Sequence, residues 1–83
     1  MKWHVIWKAE AERSLTLIWL GSRKREAINI AAHELDSALA IDPNTVGESR
    51  EENRRVAFIR PLGAQIELDH TAHTVSVLTV WEY

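Results

Sequence analysis

The feature that most constrains this chain is the order in which two apolar spacings follow one another. From residue 54 to residue 83 apolar and polar residues alternate through RRVAFIR, AQIELD and VSVLTVWEY, with PLG and HTAHT between the runs. Before them, residues 9–41 repeat with helical spacing, and one alternating segment, WHVIW, opens the chain. Period two is the mark of a strand and period 3.6 of a helix. The predicted order is therefore β-α-α-β-β-β. That is an α+β chain, with a helical hairpin packed on a small twisted antiparallel sheet. At 83 residues the length suits one domain over residues 1–83.

The elements follow from local signals. In WHVIW, Trp3, Val5 and Trp7 alternate with His4, Ile6 and Lys8, and the apolar Ile6 predicts an inner strand covered on both faces. Ala11, Leu15, Ile18 and Trp19 form one stripe of a first helix over residues 9–20. Gly21 suits a left-handed helix end, and Ser22 suits the N-cap of a second helix over residues 23–41. Ala27, Ile28, Ala31, Leu35, Ala38 and Leu39 make its buried stripe, and Asp42-Pro43 stops it. Arg23, Lys24 and Arg25 then fall in its first turn, at the positive pole of the helix, as a solvated face or a basic patch for a partner. Residues 42–53, DPNTVGESREEN, read as a long polar connection. In the strands, Val56 and Phe58 share a face, as do Ala64, Ile66 and Leu68, and as do Val75, Val77, Thr79 and Trp81.

Composition removes several classes of function. With 46% hydrophobic and 27% charged residues the chain can bury a core. It has no cysteine, so neither a disulfide nor a thiolate metal site is available, which is compatible with a cytoplasmic location. No apolar run approaches the roughly 20 residues needed to span a bilayer. The segment MKWHVIWKAEAER, broken by His4 and Lys8, does not read as a signal peptide. The net charge of −2 and pI near 6.0 do not favour nucleic-acid binding, which usually rests on a basic excess.

The element order, the Arg54-Arg55 pair opening a strand, and the run NRRVAFIRPLGAQIELD followed by VSVLTVW resemble the RelE/ParE superfamily, the toxins of bacterial type II toxin–antitoxin pairs. WHVIW, LTLIWL and the helix ending at IDP belong to the same resemblance, which covers nearly the whole chain. It implies a growth-inhibiting, plasmid-stabilising toxin in the cytoplasm. Such a toxin is silenced in a hetero-oligomer by a cognate antitoxin with an extended, partly helical tail. It also implies one of two targets, DNA gyrase or messenger RNA in the ribosome. Neither a cofactor nor a metal is implied.

For the nuclease branch, the resemblance makes Arg54, Arg55 and Arg60 candidate phosphate clamps, because electrostatic stabilisation dominates such chemistry. Tyr83 matches a terminal tyrosine, and Glu82 stands where some members carry histidine, as a candidate base. The arginine that commonly begins the family's third strand is missing, since that position falls near Leu62-Gly63. The connection before the second strand offers only Arg50, among three glutamates. Arg54 and Arg55 read equally well as charges guarding a strand edge, and Trp81 and Tyr83 as terminal packing. His70 and His73 share metal-pair spacing but have no third ligand in view, and His33 and His4 read as boundary residues. The composition and departures favour a protein-binding inhibitor. An mRNA endonuclease, or a non-toxic interaction module, is the alternative.

Overall fold

A computed structural model of the chain describes residues 2–83. Its elements are β1 (His4–Trp7), α1 (Ala9–Gly21), α2 (Arg25–Ile41), a 3-10 turn (Pro43–Thr45), β2 (Glu48–Glu51), β3 (Arg54–Ile59), β4 (Leu62–Asp69) and β5 (Thr74–Glu82). The strands form one five-stranded sheet in the order β1-β5-β4-β3-β2, with the two helices packed on it. The α+β class and the β-α-α-β-β-β frame are therefore as predicted. The sheet is mixed, because β1 lies parallel to β5 while the other pairs are antiparallel.

The core follows the helical stripe and the strand alternation. Ala11, Leu35 and Leu39 meet Ala57, Ala64, Ile66, Leu68, Val75, Val77 and Val80. Ile28, Ala31 and Leu62 form a smaller cluster, and Leu15, Ile18 and Ile59 pack against both. Each large aliphatic side chain so buried stabilises the fold by about 1.5–3 kcal/mol. No polar or charged residue is buried among those described.

Five local features depart from the sequence reading. First, β1 is an edge strand and not an inner one. Ile6 lies opposite Ser76 and stays only half-buried. Second, Gly21 ends α1 without a positive φ, and Ser22 is extended. The Ser22 hydroxyl accepts the Lys24 N–H at 2.9 Å, so α2 starts at Arg25. Arg25 does not oppose its helix dipole to no purpose. Its Nε and Nη2 donate to the carbonyls of Trp19 and Leu20, each at 2.9 Å, and its guanidinium lies 4.7 Å from the Trp19 ring. The cation thus serves the negative end of α1.

Third, the polar connection contains β2, whose ESRE sequence has no apolar alternation to announce it. It is held by pairing with β3 and by Gly47 at φ 67°, where any Cβ would collide with the Val56 backbone. Fourth, β4 begins at Leu62, leaving Arg60 and Pro61 as the turn. Fifth, Gln65 pairs with Thr79 but Ile66 with Val77, so Leu78 is an extra residue in β5. This bulge reverses the alternation. Val80, not Thr79, rejoins Val75 and Val77 in the core, and Trp81 turns to the other face.

Candidate functional site

The helices cover one face of the sheet. The other is open, and the register Phe58–Gly63–Trp81 crosses it through three strands. Phe58 and Trp81 meet edge to face, with centroids 6.1 Å apart, and Phe58 and Tyr83 do the same at 5.6 Å. The Arg60 guanidinium lies 4.5 Å from the Tyr83 ring centroid. Gly63 makes this cluster possible, because the Trp81 indole lies where its Cβ would be. Phe58, Trp81 and Tyr83 are 51%, 37% and 42% exposed, an unusual grouping of large apolar rings at a surface.

Two contacts fix the strand end that carries the rings. The Tyr83 N–H donates to the Pro61 carbonyl at 2.8 Å. Glu82 points to the helix side of the sheet, where the Ser22 hydroxyl donates to its Oε2 at 2.9 Å. Glu82 therefore anchors β5 to the connection between the helices, on the side opposite the aromatic patch.

The three candidate arginines do not converge. Arg54 lies on the open face at the start of β3, with its Nε 3.1 Å from Glu67 Oε2. Arg60 follows the other end of β3, about 20 Å away along an extended chain. Arg55 turns to the helix side and donates from Nε to the Val46 carbonyl at 2.8 Å and from Nη2 to the Gly47 carbonyl at 2.9 Å. Those two carbonyls lead into β2, so Arg55 holds that strand in place. Around Arg54, Glu51, Glu52, Asn53 and Glu67 line a shallow pocket with three carboxylates to one guanidinium. Of the sequence candidates, only Arg60 and Tyr83 come together.

The histidine pair has a packing role. His73 stacks on Trp3 at 4.3 Å and His70 meets the same ring edge-on at 5.4 Å. His70 Nε2 lies 3.0 Å from Asn44 Oδ1. Among the described residues no three metal-ligating side chains cluster.

Phe58 and Gly63 did not stand out in the sequence as site residues, and Trp81 read there as terminal packing. Gly63 carried a signal, since a glycine within a strand often marks a close approach. The alternation put Trp81 on the face of Val75 and Val77, and the bulge at Leu78 moves it to the other.

No protein-family model and no curated protein sequence matches the chain. Solved structures do match it. A chain of the RelBE2 toxin–antitoxin complex from Mycobacterium tuberculosis superposes with a TM-score of 0.81 at 16% identity, over 100% of this chain and 93% of that one. A chain of the chromosomal ParDE toxin–antitoxin system from P. aeruginosa superposes with a TM-score of 0.73 at 13% identity, over 96% and 95%. The fold is of the RelE/ParE type. At these identities it is the fold that is shared.

Proposed function

We propose that this chain is the toxin of a two-component module, held in a hetero-oligomer by a cognate antitoxin in the cytoplasm. In this reading it inhibits growth by binding a protein target such as DNA gyrase. The contact surface is the Phe58–Trp81–Tyr83 patch with Arg60 at its rim. The observation that carries this reading is the dispersal of the arginines. Arg54 is paired with Glu67, Arg55 is committed to two carbonyls, and only Arg60 stands beside exposed rings. A phosphate clamp needs convergent cations. Exposed aromatic rings with one arginine instead match the composition of protein-binding hot spots. The RelE/ParE-type fold supports the toxin–antitoxin part of the proposal.

The contact between Arg60 and Tyr83 favours a second reading. One cation beside a phenol at the chain's end is a minimal arrangement for ribosome-dependent mRNA cleavage without metal, with Glu82 facing away from it. The test expresses the chain from an inducible promoter and assays the purified protein on gyrase supercoiling and on programmed ribosomes. Growth arrest with inhibited supercoiling and intact message is the expected outcome. Cleaved message with normal supercoiling would establish the second reading. No arrest and no effect in either assay would leave a non-toxic interaction module.

A further inference from the structure

We propose that Glu82 is the positioning residue of the aromatic patch, and that its hydrogen bond to Ser22 ties the order of the exposed rings to the connection between the helices. This deepens the proposed function and rests on its reading of the patch as the contact surface.

The sheet alone holds the ring-bearing segment weakly. β1 pairs with β5 only from Thr74 to Val77, and the Lys8 N–H donates to the Val77 carbonyl at 3.0 Å. Beyond Val77, among the described residues, β5 has a strand on one side only, β4. The bulge at Leu78 interrupts the ladder at the same point. A strand end paired on one side opens more readily than one paired on both. Val80, buried in the core, and the bond from the Tyr83 N–H to the Pro61 carbonyl oppose that opening. Phe58, Trp81 and Tyr83 keep much of their surface in solvent, so burial of the rings restrains them incompletely.

Glu82 supplies a further restraint. Successive side chains of a strand point to opposite faces. Trp81 and Tyr83 both reach Phe58 on the open face, and Glu82, between them, faces the helices. A group in that place can hold both neighbours without covering either ring. Its Oε2 accepts the Ser22 hydroxyl at 2.9 Å, and no ion pair engages it among the described residues.

The anchor is itself fixed. The Ser22 hydroxyl accepts the Lys24 N–H at 2.9 Å, which leaves its one proton for Glu82. Arg25 donates to the Trp19 and Leu20 carbonyls and so ties the start of α2 to the end of α1. Ser22 lies between those two ends, and Glu82 joins β5 to them.

This role differs from that of a base. The carboxylate lies on the face opposite the contact between Arg60 and Tyr83, so it meets nothing that docks on the rings. Positioning needs only an acceptor, which the amide oxygen of glutamine also supplies, whereas a base needs the carboxylate. Glu82→Gln therefore separates the two roles.

The test records the Trp81 indole N–H signal and the ring-to-ring nuclear Overhauser contacts between Phe58 and Tyr83 in the full chain. Wild type is compared with Glu82→Ala, Glu82→Gln, Ser22→Ala and the double variant Ser22→Ala with Glu82→Ala, and the backbone signals of α2 confirm that each is folded. Glu82→Ala is expected to move the indole signal toward that of free tryptophan and to erase the ring contacts, while Glu82→Gln keeps both. Ser22→Ala should add little once Glu82 is replaced, because both changes remove one contact. Intact ring contacts and an unmoved indole signal in Glu82→Ala would overturn the proposal. So would additive shifts in the double variant, or a Glu82→Gln protein that behaves like Glu82→Ala. In gyrase supercoiling, Glu82→Ala should need about tenfold more protein than wild type for equal inhibition, and Glu82→Gln should restore the wild-type requirement. Equal inhibition by Glu82→Ala despite loosened rings would overturn Glu82 as a positioning residue. A wild type that never inhibits supercoiling would defeat the proposed target, and the ring signals, which need no target, would still decide whether Glu82 holds the patch.

Discussion

Gly63→Ala is the most informative single change, because it disturbs the aromatic patch without removing any of its side chains. The built Cβ of residue 63 falls on the Trp81 indole, so one of the two must move. Gly63 is fixed in register between Phe58 and Trp81, and the backbone of β4 is paired on both sides. The indole gives way. Trp81 is 37% exposed, so roughly 150 Å² of a side chain of this size is covered. Swinging it into solvent exposes about half of that, and at about 25 cal/mol/Å² this costs about 2 kcal/mol. Loss of the edge-to-face contact with Phe58 adds about 0.5–1.5 kcal/mol. The sum is about 2.5–3.5 kcal/mol, which for a chain of this length lowers Tm by roughly 10–28 °C. Thermal unfolding followed by circular dichroism measures the shift, and tryptophan fluorescence reports a more solvated indole. A Tm within about 2 °C of wild type with unchanged fluorescence would mean that the indole does not rest on Gly63.

Three further changes separate structural from functional residues. Arg55→Ala removes two charge-assisted bonds that hold the start of β2 and should cost about 2 kcal/mol by denaturant unfolding, whereas a cost under about 0.5 kcal/mol would free Arg55 for another role. Arg54→Ala breaks only a half-exposed ion pair with Glu67 and should change stability by less than about 1 kcal/mol, so a larger loss would show that the pair does more than its exposure allows. Ser22→Ala removes the donor to Glu82 and the acceptor of the Lys24 N–H, and a loss of about 1 kcal/mol with faster amide exchange at Tyr83 is expected. Unchanged exchange there would mean that Ser22 does not hold the end of β5.

The helices and the strands of the second half were legible because their apolar spacing is dictated by burial on one side. Ile28, Ala31, Leu35 and Leu39 declare α2, and Ala64, Ile66 and Leu68 declare β4. β2 was not legible, because ESRE buries nothing and exists through backbone pairing and the two Arg55 bonds. The place of Trp81 was hidden for a different reason. Leu78 is a bulge residue, and a bulge depends on the match between two strands rather than on either one alone. The start of α2 was misread because Ser22 can cap a helix or brace a turn with the same hydroxyl, and here it takes the Lys24 N–H and reaches Glu82 as well. For the candidate site, sequence placed Arg60 and Tyr83 among the right residues but could not tell that Arg55 faces the helices. That follows from its register opposite Ile66.

On the proposed function, the open-face patch, and not a set of phosphate-binding arginines, carries the activity. This is tested most directly by gyrase supercoiling in the presence of purified wild type, Phe58→Ala and Arg54→Ala proteins. Phe58 touches both Trp81 and Tyr83, so its truncation removes the centre of the patch. Inhibition by wild type, its retention in Arg54→Ala, and a loss of at least about tenfold in Phe58→Ala, the scale of a hot-spot residue, are expected. Inhibition that survives Phe58→Ala and disappears in Arg54→Ala would contradict the proposed function.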